Sequence, residues 1–284
     1  MKNSTILIVA GKDAPLDRLA QKLESLRAIP ARAVVLLVAK MPIFPYSAIG
    51  LPPLGPIDIP PEWQEDVANL RAALNDKAQA VEALLQEHDL SGEVATEACE
   101  PSMLADVIAR RAMLCDMAII DEDLRTPEPL FREAVFGVLF RSPAGLLLND
   151  PKAAALNGPK RVFVAWNSHL HSARAVHQAL PLLRRADEVV IASFDPVMTE
   201  FREGEDPGAD VAKWLTHHGC TVTVQQYPSG GKDIADCILD RSKEMGADLI
   251  VMGAYGRSRM RETIFGGTTH SMIAQSDRPV FLGR

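Results

Sequence analysis

No stretch of the 284-residue chain approaches the roughly 20 consecutive apolar residues that a membrane span requires. The apolar run near its start, "TILIVAG", is too short for a secretory leader and meets charge at once, so a cytoplasmic protein is expected. A basic excess is missing too. Lys and Arg number 30 against 37 Asp and Glu, a net charge of −7, which argues against a general nucleic-acid binder. The four cysteines, Cys99, Cys115, Cys220 and Cys237, show no CxxC spacing, so reduced structural thiols are expected. His169, His171 and His177 match no standard ligand spacing, and His at i and i+2 of a helix point to different faces, so no metal is assigned. Catalytic signatures are equally scarce. There is no GxxxxGKS/T loop, no GxSxG elbow and no His–Asp–Ser set that the sequence places together. Asp195 and Asn167 are the nearest polar candidates for chemistry, and neither has a visible partner.

What the chain does have is a normal hydrophobic fraction, 47%, arranged as short strand-like runs alternating with helical stretches. That alternation predicts α/β units around a parallel sheet. The order is written twice. "TILIVAG", a helix near 14–28 and "ARAVVLLVAK" open the first half; "RVFVAW", a helix near 170–185 and "ADEVVIASFDP" open the second. Late in each half, "ADVIARRAMLCDMAIID" aligns with "ADCILDRSKEMGADLIVMG", and each half closes on a Pro-led apolar strand, "SPAGLLLN" and "RPVFLG". An internal duplication of roughly 140 residues per unit predicts two similar domains, 1–150 and 160–284, joined by the short Pro- and Gly-bearing "NDPKAAALNGPK".

The halves differ in two places. Residues 41–63 of the first carry seven prolines, which exclude regular helix and central strand. This segment reads as a rigid surface loop, with a lid or a partner surface as the alternatives. Beyond it Trp63, Val67, Leu70, Leu74, Val81, Leu84 and Leu85 trace the apolar stripe of a long helix. The second difference is glycine. "ADLIVMG" reads as a central parallel strand, and after it the second half runs "GAYGRSRMRETIFGG". Ligands of open α/β sheets bind at the carboxyl ends of strands. A glycine loop leading to a helix N-terminus there offers backbone N–H groups to an anion. The helix is expected at "TTHSMIAQS", and Arg257, Arg259 and Arg261 add a local positive cluster to an acidic chain.

The spacing Gly253, two residues, Gly256, nine residues, Gly266, after a strand ending "VMG", resembles the nucleotide-binding signature of the universal stress protein family. "VFVAWN" is similar to that family's first strand and turn, and "SDRPVFLG" to its closing segment. The resemblance covers 160–284, and the first half shares the order of elements without the loop. It implies two tandem domains, each a mainly parallel five-stranded sheet flanked by helices. It also implies binding of ATP or a related adenine nucleotide in the second domain, with Mg2+ only as the nucleotide's companion. By position, Ala165, Trp166 and Asn167 would end the first strand of the site, and the backbone at Phe194 would meet the adenine edge. Met252, Gly253, Tyr255 and Gly256 would line the ribose and phosphates, and Gly266, Gly267, Thr268 and Thr269 would hold the phosphates. Two positions depart from the family pattern. Asn167 stands where members that bind ATP commonly have aspartate, and Gly267 replaces a hydroxyl residue. The missing side-chain hydrogen bond costs about 1.5–3 kcal/mol, more than tenfold in affinity.

In the first half, Asp121, Glu122 and Asp123 occupy the place of the glycine loop. Three carboxylates would repel a polyphosphate unless a cation bridges them, and a metal-bridged site is the alternative. "DED" reads there as a solvated strand end, and the half as degenerate. The function implied is a nucleotide-responsive stress regulator with an unknown protein partner. An interaction protein without nucleotide and a slow phosphohydrolase are the alternatives. The closing strands are apolar enough to pack against each other as an intramolecular pseudo-dimer. A further homodimer is left open, and no nucleic-acid or membrane partner is expected.

Overall fold

The computed structural model describes residues 4–29, 31–45, 59–126, 128–198, 206–254 and 267–284. Runs lacking polar alternation become strands covered on both faces. These are β1 (Ser4–Gly11), β2 (Ala31–Lys40) and β4 (Met117–Ile120) in the first half, and β6 (Arg161–Ala165), β7 (Glu188–Phe194) and β9 (Leu249–Gly253) in the second. More polar strands, β3 (Gly92–Cys99) and β8 (Val222–Tyr227), take the edges, and each half closes on a four-residue strand, β5 (Gly145–Leu148) or β10 (Val280–Gly283). The connecting helices are α1 (Leu16–Leu26), α2 (Pro61–Glu87), α3 (Pro101–Ala112) and α4 (Glu128–Arg141), then α5 (Leu170–Leu183), α6 (Ala209–His217), α7 (Ile234–Glu244) and α8 (Gly267–Ala274).

The described strands form one sheet, ordered β3–β2–β1–β4–β5–β10–β9–β6–β7–β8. Every neighbouring pair is parallel except β5 and β10. These run antiparallel, with Leu146, Leu147 and Leu148 opposite Leu282, Phe281 and Val280. The two closing strands expected to pack against each other therefore do so edge to edge, and two five-stranded repeats share a single ten-stranded sheet.

Side chains alternate across this sheet with the period of two that strands impose. Ile6, Ile8, Val35, Leu37, Val164 and Ile191 face α1, α2, α5 and α6. Leu7, Val9, Leu36, Val38, Phe163 and Ile250 face α3, α4, α7 and α8. In α2 the stripe closes as read, with Val67, Leu74, Val81 and Leu85 buried. Pro61 stands at its first turn, where its missing N–H costs nothing. Trp63 ties the helix start to the preceding segment, its Nε1 donating to the carbonyl of Pro42 (3.1 Å). The rest of the proline-rich stretch, 46–58, lies outside the described residues. The joint between the halves is held more firmly than its composition suggested. Asp150 is buried and accepts from the N–H groups of Ala154 (2.7 Å) and Ala155 (3.1 Å), while Ala153, Ala155 and Leu156 pack into the core.

The seam places a full ring where the halves meet, since Phe281 is completely buried on β10. Phe281→Ala should cost about 3–5 kcal/mol, the usual range for removing a buried aromatic, as read from urea unfolding. A loss within experimental error of zero would show that the seam does not hold the halves together.

Candidate functional site

In each half the chain leaves the carboxyl end of the central strand toward one neighbour and returns beside it on the other. The gaps between β1 and β4 and between β6 and β9 are thus the topological switch points of the sheet. Their registers can be matched residue by residue. Val9 pairs with Ile120 at the end of the first gap, and Ala165 with Met252 at the end of the second. Gly11 therefore corresponds to Asn167, and Asp121 to Gly253.

The first gap is filled by the protein's own charges. Asp121 is fully buried. It accepts from Lys22 Nζ, itself fully buried, from Arg18 Nη1 (3.0 Å) and from the N–H of Asp123 (3.1 Å). Burial pushes the Asp121 carboxyl up, but Lys22, the Asp123 N–H and Arg18 outweigh it and hold the group below its ordinary range. Lys22 also reaches Glu122 (3.2 Å). The Asp123 carboxylate accepts from the N–H of Gly11 through both oxygens, at 2.9 and 3.2 Å. A Cβ on Gly11 would stand 2.3 Å from that carboxylate, so only glycine permits the approach. The reading of "DED" as a solvated strand end is thus corrected. A buried lysine and a half-buried arginine on α1 balance the cluster and draw it inward. The signal was present in the sequence. Leu19, Leu23 and Leu26 mark the buried face of α1, and Lys22, three residues after Leu19, shares it.

Asp123 carries the strain of this arrangement. Burial first, then the neighbouring Asp121 charge, raises its pKa to about 7, against the stabilising N–H of Gly11.

The second gap is built differently. Gly253 stands where Asp121 stands in the first. A Cβ there would lie 2.6 Å from the backbone of His171 and Ser172, so the glycine admits the first turn of α5 against the end of β9. Asn167 is exposed, its carbonyl accepting from Ser172 Oγ (2.5 Å). Its amide N–H2 has no partner among the described residues and remains a donor. Trp166 is half-buried against the α5 side of the core, with its backbone N–H on the Ala192 carbonyl (2.8 Å). Ala165 and Met252 meet in register. Phe194, two residues beyond Ala192 on β7, lies beside Tyr227, whose hydroxyl donates to Met245 Sδ (3.3 Å). Asp195 does have a partner, the N–H of Ser229 (3.1 Å), so its carboxylate shapes a turn. His171 is held below its ordinary pKa by burial and by the charges of Arg284, Arg174 and His169, an environment short of negative charge.

The helix expected after Gly267 begins at that residue. Gly267 is exposed, Thr268 half-buried and Thr269 buried. Among the described residues, the nearest atom to a Cβ on Gly267 would be Asp233 Oδ2, at 3.7 Å. Asp233 caps α7 through the N–H of Ala235 (2.7 Å) and went unremarked in the sequence. Tyr255, Gly256 and Gly266, with Arg257, Arg259 and Arg261, lie outside the described residues. Among the described residues no three His, Cys, Asp or Glu are grouped to hold a metal ion, and no helix is long and apolar enough to cross a membrane. A cavity of about 720 Å³ between Ile29, Cys115, Pro181 and Arg184 shares no lining residue with either gap. It lacks the placement at strand carboxyl ends that ligands of such sheets use. All four cysteines are buried and unbridged, with Cys115 pushed up to about 11 chiefly by burial.

Residues 159–284 match the profile of the universal stress protein family. No curated protein matches the chain. Among solved structures, a universal stress protein from Archaeoglobus fulgidus is similar over 98% of this chain and 96% of its own, with a TM-score of 0.64 and 18% identity. A functionally unknown protein from Pseudomonas aeruginosa is similar over 98% and 91%, with a TM-score of 0.53 and 15% identity. A universal stress protein in complex with cAMP is similar over 45% of this chain, at a TM-score of 0.35 and 18% identity. The fold shared over both halves is that of a tandem arrangement.

The Asp123 pair fixes a pH dependence. Its folded pKa, about 7, lies above the ordinary carboxylate value of 3.8, so the native state holds a proton that the unfolded chain releases. The contribution of Asp123 to stability should therefore be full below about pH 4 and decline as pH rises to about 7. Urea midpoints of the wild type should fall relative to those of Asp123→Asn across that window. Parallel curves would show that Asp123 titrates normally.

Proposed function

Because residues 159–284 belong to the universal stress protein family, we propose that the second half binds ATP or a related adenine nucleotide and that the chain acts as a nucleotide-responsive regulator of the stress response. The nucleotide lies across the carboxyl ends of β6, β7 and β9, with its phosphates toward the start of α8. One observation carries this reading: the residue matched to the buried Asp121 is Gly253, so the gap that is filled with carboxylates in the first half has none at that position in the second. Asn167 supports it with a free amide donor in place of a charge, suited to an acceptor on the base or ribose. At α8, backbone N–H groups and the helix dipole favour an anion, and Thr268 and Thr269 are the hydroxyl residues of its first turn. Mg2+ would come with the phosphates, and among the described residues Asp233 is the carboxylate beside Gly267. Occupancy regulates only if two conformations differ in affinity for the nucleotide, and a partner then reads the difference.

Gly267 provides the test, since a side chain there meets no atom of the described residues closer than 3.7 Å. Gly267→Glu should leave the thermal midpoint unchanged while weakening ATP by more than tenfold, by placing a carboxylate where phosphate would sit. Calorimetric titration, with identification of any nucleotide released on denaturing fresh protein, gives the readout. An empty wild type with no heat at millimolar ATP would reject the nucleotide reading in favour of a scaffold. Phosphate release lost with Gly267→Glu would make the protein a slow phosphohydrolase.

A further inference from the structure

The short 3-10 turn carrying the first half's acid cluster, Glu122–Arg125, ends in a side chain that leaves its own half. Arg125 Nη2 donates to the carbonyls of Ile273 (2.9 Å) and Gln275 (3.2 Å), at the C-terminal end of α8, and to Asn149 Oδ1 (2.6 Å). Asn149, just past β5, donates in turn to the Gln275 carbonyl (2.7 Å). The guanidinium lies over the ring of Phe131 from α4, at 4.2 Å. The last carbonyls of a helix have no donors within it, and a cation beside them suits the helix dipole. Arg125 therefore caps a helix of the other half through a single guanidinium nitrogen, Nη2, with the planar group held against the Phe131 ring.

The topology explains why this residue reaches that helix. With β5 and β10 antiparallel, the carboxyl ends of the two sets of strands lie at opposite edges of the sheet. The α8 helix leads from the carboxyl side of β9 back to the start of β10, so it runs from the second gap toward the first. Its eight residues span about 12 Å. One end begins at Gly267 and the other is held by Arg125. The turn bearing Arg125 is in turn anchored through Asp121 to Lys22 and Arg18, and through Asp123 to Gly11.

We propose that Arg125 is a positioning residue for the anion site at the start of α8, holding that helix from its far end and tying nucleotide affinity in the second half to the Asp121–Asp123 turn of the first. This rests on the nucleotide reading above and adds its regulation. The filled first gap then serves as the fixed anchor of the link. Coupling of this kind is reciprocal: whatever Arg125 does for nucleotide binding, nucleotide binding must do for the turn.

The test uses the full chain, with ATP titrated into wild type, Arg125→Gln and Arg125→Lys well below their melting temperatures, alongside amide hydrogen exchange. Arg125→Gln should weaken ATP about five- to twentyfold and speed exchange in α8 of the nucleotide-free protein. Arg125→Lys, keeping charge without the planar guanidinium that lies over Phe131, should fall between. In the wild type, ATP should slow exchange across 121–126. A purely structural arginine would lower the melting temperature yet leave the affinity and the ATP-dependent exchange at 121–126 unmoved, which overturns the proposal. Unchanged α8 exchange in Arg125→Gln overturns it as well. Failure of the nucleotide reading looks different, because the wild type itself then takes up no ATP, and the coupling falls with it. Should Arg125→Gln lose its cooperative melt, Arg125→Lys and the wild-type exchange decide by the same criteria.

Discussion

The pairing of β5 with β10 sets the geometry of everything else. Each is four residues long, too short to stand as an independent edge, and every side chain on both is buried. Joined, they remove two unpaired edges and bring Leu146, Leu147 and Leu148 against Val280, Phe281 and Leu282. Because this is the antiparallel step in an otherwise parallel sheet, it turns the second half over relative to the first. The two switch points then face opposite edges, and helices beside the seam, α8 among them, pass between them.

Duplication gave the chain two equivalent gaps, and electrostatics has made them unlike. In the first, Asp121 and Asp123 occupy the space at the strand ends and take up the N–H of Gly11, with Lys22 and Arg18 supplying compensation. A buried ion cluster of this kind need not add stability over an apolar one, since desolvation offsets most of its attraction. What it does is fill the gap with carboxylates that are hydrogen-bonded within the first half, Asp121 to Lys22 and Arg18 and Asp123 to Gly11. In the second, Gly253 takes the matched position, and its missing Cβ is used to seat α5. That glycine thus has a packing reason for being there, independent of any ligand.

Much of the fold was legible from pattern. The buried runs of β1, β2, β6 and β9 carry no polar alternation, the stripe from Val67 to Leu85 has helical period, and the closing segments are apolar in both halves. The charge balance of the "DED" turn did not follow so directly. Arg18 and Lys22 precede Asp121 by about a hundred residues, and only the position of Lys22 on the apolar face of α1 hinted that it was buried. Asp195 and Asn167 looked unpartnered because their partners, Ser229 and Ser172, are ordinary turn and helix residues with no motif of their own. Arg125 was invisible as a capping residue. Its acceptors are main-chain carbonyls nearly 150 residues away, and a carbonyl leaves no mark in a sequence.

The sequence by itself determined the repeated α/β plan, its buried strands and the acidic or glycine character of each loop. Those properties are local, written in side-chain period and composition within a few turns of chain. Only the tertiary structure decided which charges meet, that the first gap is plugged rather than open to water, and that a first-half arginine holds a second-half helix. Such outcomes depend on the register and direction of strands distant in sequence. The direction of β10 against β5 in particular arises from burying two short apolar edges at once, a gain that neither strand can realise alone.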